Sequence, residues 1–133
     1  SRVFSAAERT QLDALPVAER PDRALSLWTF KEAYIKARGM GLSLPLQKIS
    51  FLFEGPKLET PNIDGPQTIR FTVEPDVDDD PTRWRFCQFN HAGHRVALAV
   101  EAAAVCNPKI FEARPPLAPP TRLDLGAPVW FSA

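Results

Sequence analysis

Trp28, Glu32 and Lys36 are spaced four residues apart, so a helix places all three on one face. A carboxylate one turn from an ammonium can hold a hard cation, take a proton or grip a phosphate. The same spacing also describes a solvated Glu–Lys pair beside a core tryptophan, stabilising its helix by only about 0.2–0.5 kcal/mol. Lys31 adjoins Glu32 but projects about 100° around the helix from it. Glu8 has a local reading as well. With Ser5 it matches a capping box, serine first and glutamate three residues on, and that local role alone would explain it.

Other candidates are weaker. Asp76, Asp78, Asp79 and Asp80 crowd one loop, but without the spacing or central glycine of a calcium loop they read as a solvated turn. His91 and His94 flank a glycine turn and have no further ligand nearby, which suits surface residues rather than a metal.

The elements that must carry these side chains are short. Fourteen prolines punctuate the 133 residues, and proline is excluded from helix interiors and central strands. Phe4, Ser5 and Glu8 open a short helix predicted over 6–15, which Pro16 stops. A longer helix is predicted from Pro21 or Asp22 to Arg38. Leu25, Trp28 and Ile35 form one stripe on it, flanked by Leu27, Phe30 and Tyr34, and Gly39 is its left-handed cap. Beyond Pro45 the period changes to two. Strands are predicted over 49–53, 69–73, 84–90 and 95–101, with Gly55 and Pro56 ending the first and a hairpin loop over 90–93. The fold class is α+β: a small antiparallel sheet packed with one long and one short helix. The domain spans 1–102. A Pro-rich but apolar tail over 103–133, with six prolines among Ile110, Phe111, Leu117, Leu123, Leu125, Val129, Trp130 and Phe131, is expected to pack partly, as an irregular strap.

Composition narrows the classes. Sixteen basic and sixteen acidic residues cancel, so no net field argues for nucleic acid or a membrane surface. No apolar run reaches the length of a membrane span and there is no signal-peptide pattern. Cys87 and Cys106 lack metal spacing and read as thiols rather than a disulfide. A cytoplasmic protein is expected.

Trp28, Lys31, Glu32, Ala33, Lys36, Gly39, Gly41 and Leu42 together resemble the W-x-x-K-E-A-x-x-K-x-x-G-x-G-L signature of 4′-phosphopantetheinyl transferases, in the branch that activates carrier proteins of peptide and polyketide synthetases. Phe4, Ser5 and Glu8, and the run from Leu42 through Pro45 to Leu46, are similar to that family at matching distances. The resemblance implies transfer of the phosphopantetheine arm of coenzyme A to a serine of an acyl or peptidyl carrier protein, with Mg²⁺ at the pyrophosphate. It implies that Glu32 is a metal ligand or the base for the serine, that Lys36 contacts the pyrophosphate and Lys31 assists it, and that Glu8 has a part in proton or water handling. It also implies a pseudo-duplicated enzyme, with the active site between two similar halves. Two further metal carboxylates and the basic residues for the 3′-phosphate would come from the first half. The resemblance covers the second half, so the chain is expected to be incomplete alone and to need the missing half or a second copy. A smaller trimeric branch of single-domain chains has an N-terminal aspartate motif that residues 1–15 lack. The alternative is a non-catalytic α+β module that docks a carrier protein.

Overall fold

Ser5 is extended and accepts from the Glu8 N–H, while the Glu8 carboxylate accepts from the Ser5 N–H at 2.8 Å. Both halves of the capping box are thus in place, and they start α1, Ala6–Asp13. A computed structural model of the chain describes residues 3–54, 67–103, 110–112, 121–123 and 130–132. α1 ends two residues short of the predicted Leu15. Arg20 reaches back to take the Leu15 and Asp13 carbonyls at 3.0 and 2.9 Å, supplying from outside the donors that another helical turn would have given.

Arg20 also begins α2, Arg20–Arg38, with Pro21 in its first turn. Asp22 lies at the positive end and Lys36 and Arg38 at the negative end, each sign where the helix dipole favours it. Gly39, at φ 67°, caps α2 in the left-handed conformation as expected.

Four strands follow: β1 (Ile49–Glu54), β2 (Gln67–Val73), β3 (Trp84–His91) and β4 (His94–Glu101). β1 and β2 pair antiparallel, as do β3 and β4. The last ladder continues to His91 opposite His94, leaving only Ala92 and Gly93 in the turn. Both have positive φ, 48° and 77°, as a two-residue hairpin matched to strand twist requires.

The tail supplies three short strands: β5 (Ile110–Glu112) paired with β6 (Thr121–Leu123), and β7 (Trp130–Ser132). β7 lies inside the main sheet, whose order is β1-β2-β7-β3-β4. It runs parallel to β2 and antiparallel to β3. At 130–132 the irregular strap therefore gives way to a regular central strand. Gly55, Pro56, Cys106, Leu117, Leu125 and Val129 lie outside the described residues.

The core forms where α2 covers one face of this sheet. Leu27, Phe30, Tyr34 and Ile35 of the helix meet Ile49, Phe51, Ile69, Phe71, Trp84 and Phe86 of the strands. Phe30 stacks on Phe51 at 5.2 Å between ring centres, and Phe86 meets Phe51 edge-on at 4.8 Å. Such aromatic pairs each contribute about 0.5–1.5 kcal/mol beyond their buried area. At the other end of α2, Arg95 of β4 donates to Ser26 at 2.6 Å and pairs with Asp22 at 2.7 Å. Between them these contacts fix the rotation of α2, and so decide which of its side chains face outward. Cys87 is a buried thiol outside any disulfide among the described residues. Among the described residues, no helix is long and apolar enough to cross a membrane.

Candidate active site

The rotation of α2 sorts the signature residues into two groups. Lys31 follows Leu27 and precedes Tyr34 and Ile35 on the core stripe, and it is fully buried, with 0% of its side chain exposed. Glu8 is equally buried, and its carboxylate lies 2.8 Å from the Lys31 ammonium. Nζ also donates to the carbonyls of Val3, Leu46 and Ile49 at 2.8, 2.6 and 2.7 Å. Four oxygens around one nitrogen, three of them carbonyls that can only accept, suit the ammonium and its three donors. Burial pulls the Lys31 pKa below its ordinary value, and Glu8, by charge and hydrogen bond, opposes that pull.

Glu8 completes the frame. One carboxylate oxygen caps α1 at Ser5, and the other accepts from the Phe51 N–H at 2.9 Å. One turn along α1, the Gln11 amide accepts from the Phe53 N–H at 3.0 Å and donates to the Phe53 carbonyl at 3.2 Å. Side chains of α1 thus take the place of a neighbouring strand along the outer edge of β1.

Glu32 and Lys36 have the opposite environment. Glu32 is half-buried and Lys36 exposed. Neither has a side-chain hydrogen bond or ion pair among the described residues, so the solvated Glu–Lys pair that their spacing allows is not formed. Trp28, one turn before Glu32, is half-buried on the same stripe. α2 therefore presents a carboxylate and an ammonium whose bonding capacity is unused. Past Gly39, the turn at Gly41–Ser43 carries Leu42, 80% exposed.

The structure also brings together residues that the sequence did not mark. Asp79, in the loop read as a solvated turn, has a carboxylate only 1% exposed. It accepts from the Tyr34 hydroxyl and from the Trp84 indole N–H (2.7 Å), and pairs with Arg38 at 2.7 Å. Burial alone would raise its pKa. The bonds from Tyr34, Trp84, the Asp80 N–H and Arg38 outweigh burial and hold it below the usual carboxylate value. Tyr34 is pushed up to about 12, by burial first and then by its bond to Asp79. The available signal was Trp84: a buried indole N–H needs an acceptor, and Asp79 is the nearby residue that supplies one. Asp76, Asp78 and Asp80 are exposed, as are His91 and His94.

Comparison with known proteins sets these side chains in a family. A model of the 4′-phosphopantetheinyl transferase superfamily matches residues 1–100. The chain belongs to that superfamily. Over 49 residues it is 45% identical to the 4′-phosphopantetheinyl transferase Sfp of Bacillus subtilis (strain 168), a stretch that is 37% of this chain and 22% of that protein. The chain therefore spans well under two thirds of this curated relative. No solved structure gives a significant match.

Members of this superfamily generally use coenzyme A and Mg²⁺, so the donor set must be tested against such an ion. Among the described residues, no three His, Cys, Asp or Glu side chains cluster as a metal cage. Mg²⁺ is usually held by one or two carboxylates plus waters and substrate phosphates. Glu32, with no side-chain partner among the described residues, suits one such position; Glu8 and Asp79 are already committed to protein donors.

Proposed function

We propose that the protein carrying this chain transfers the 4′-phosphopantetheine arm of coenzyme A to a serine of an acyl or peptidyl carrier protein. The serine Oγ forms a bond to the β-phosphorus of coenzyme A, the bond from that phosphorus to the bridging oxygen breaks, and 3′,5′-ADP leaves as the serine proton is lost. Glu32 either accepts that proton or ligates the ion. A bound Mg²⁺ would neutralise phosphoryl oxygens and stabilise the departing charge. Lys36, exposed one helical turn on, meets the pyrophosphate as a point charge on a flexible stem. The further carboxylates and the grip on the 3′-phosphate are assigned to the other half of a pseudo-duplicated enzyme.

In this reading Glu8 and Lys31 do not touch substrate. The proton-handling part first expected for Glu8, and the pyrophosphate contact expected for Lys31, give way to a framing role. Their charged atoms are buried and already bonded, and moving either to a substrate would leave the other unpaired in the interior. They lock α2 so that Glu32, the next residue, faces outward.

The observation that carries the reading is the match to the superfamily over residues 1–100, with Glu32 and Lys36 on the open side of α2 and unpaired among the described residues. The test is Glu32→Ala in the full-length protein, with coenzyme A, Mg²⁺ and an apo carrier protein. Mass spectrometry of the carrier is expected to show the phosphopantetheine increment with the parent protein and none with the variant. Near-parental turnover by Glu32→Ala would sink the assignment.

A further inference from the structure

The last turn of a helix holds itself poorly, because its final carbonyls have no intrahelical donors. In α2 that turn carries Lys36, and just beyond Gly39 comes the exposed turn at Gly41–Ser43. What anchors it lies in a different element. The loop between β2 and β3 sends the buried Asp79 carboxylate to meet Tyr34 and Arg38, two residues either side of Lys36. Arg38 ties the corner together: it donates to the Tyr34 hydroxyl at 2.8 Å and to the Asp78 carbonyl at 3.0 Å, and reaches Met40 at 3.4 Å. On the loop side, Trp84 and the Asp80 N–H hold the same carboxylate, at 2.7 and 2.8 Å, and Arg83 lies 3.4 Å from it. Tyr34, locked in this corner, packs on Phe71 at 4.9 Å and on Trp84 at 5.3 Å between ring centres.

Sheet, loop and helix end therefore converge on one carboxylate. Lys36 is two residues from each helical partner of Asp79, roughly 200° around the axis, so it points away from the anchor. A shift of the anchored face moves Lys36 by a similar amount on the open face. We propose that Asp79 is a positioning residue for coenzyme A: by holding Tyr34 and Arg38 to the sheet, it fixes where Lys36 meets the pyrophosphate.

This inference rests on the proposed transferase reading, and its test separates the two. In the full-length protein, Asp79→Asn keeps the size of the side chain and removes its charge. Transfer to carrier protein is measured with coenzyme A varied. The Tyr34 titration is followed as tyrosinate absorbance, by difference against Tyr34→Phe, which isolates this tyrosine from any other. The Tyr34 pKa is expected to fall from about 12 toward its ordinary 10, reporting that the contact is broken. The KM for coenzyme A is expected to rise about tenfold, with kcat changed less than about threefold, because a displaced phosphate ligand weakens binding of this substrate. A merely structural Asp79 would lower stability and shift Tyr34 while leaving KM within about twofold, and that result overturns the proposal.

Where Asp79→Asn does not fold, Tyr34→Phe keeps the ring in the core and removes one donor to the carboxylate. Its KM for coenzyme A is expected to rise about threefold, and an unchanged KM overturns the proposal equally. If Glu32→Ala abolishes transfer while these variants keep a parental KM, positioning alone has failed. If Glu32→Ala remains active, the transferase reading has failed, and this inference with it.

Discussion

Two lysines on one helix, five residues apart, should respond very differently to substitution. Lys31 is closed in by a carboxylate and three carbonyls. Lys31→Met removes the counter-charge of a buried glutamate and the donor to three carbonyls, at an expected cost of about 3–5 kcal/mol. Lys36→Met, at an exposed position without a partner among the described residues, should change stability by less than about 0.5 kcal/mol while impairing the proposed transfer. Urea unfolding beside carrier-protein modification gives both readouts, and a stable Lys31→Met would contradict the framing role. The identities of Glu8, Lys31, Glu32 and Lys36 were legible in the sequence, but their depth was not. Leu25, Trp28 and Ile35, flanked by Leu27, Phe30 and Tyr34, make an apolar band too wide to show which part of it is deepest. Only packing against Phe51, Phe71 and Phe86 selects the stripe that includes Lys31. Asp79 and Tyr34 also set two pH limits. The Asp79 pKa is depressed in the fold, so its contribution is present above the unfolded value of about 4 and is lost as pH falls through the folded one. The Tyr34 pKa is raised, so its contribution is complete below about 10 and is lost as pH rises toward about 12. Unfolding midpoints measured across pH should show both limits, and Tyr34→Phe should lack the alkaline one.

The ends of the helices were the more legible elements, because caps are local. Ser5 with Glu8, Pro21 with Asp22, and Gly39 each act within a few residues of chain, and each lies where the pattern put it. The end of α1 was less legible because a side chain from outside the helix intervenes there, Arg20 taking the Leu15 and Asp13 carbonyls. Gly39 gives a clean test of this level. A Cβ there would meet nothing within 4 Å, so Gly39→Ala carries only the left-handed backbone strain at φ 67°. The expected cost is about 1–2 kcal/mol. Gly39→Asn should cost less, since asparagine tolerates that conformation. Thermal unfolding of the two variants checks the order, and equal midpoints for Ala and Gly would remove the cap from the account. Because this turn follows Lys36 and Arg38, loosening it should also weaken the proposed transfer before it unfolds the domain.

At the scale of the whole molecule, the alternating strands and the α+β class could be read from period, but the strand order could not. β1 with β2 and β3 with β4 are pairs of neighbours in sequence, whereas β7 reaches the middle of the sheet from a segment whose prolines resemble a linker. No local pattern encodes a parallel pairing between residues more than sixty positions apart. The consequence is mechanical, since β2 and β3 are joined across the sheet through Trp130–Ser132. These strands carry Phe71, Trp84 and Phe86, against which α2 packs, so the tail supports the face that orients Glu32. Phe131 is opposite Thr68 on one side and Cys87 on the other, and proline there would remove a ladder donor from a central strand. Phe131→Pro should therefore destabilise the domain by about 1–3 kcal/mol, the cost of leaving a buried ladder acceptor unsatisfied. In hydrogen exchange, the amides of residues 67–69 and of Cys87 and Gln88 should lose protection first, while those of Phe51 and Phe53, held by Glu8 and Gln11, keep theirs. The bared inner edges of β2 and β3 would then be free to pair with another chain, so light scattering should show association above the parental level. If protection at 67–69 is instead unchanged in Phe131→Pro, β7 does not hold the two halves of the sheet together, and the tail has no part in placing the site.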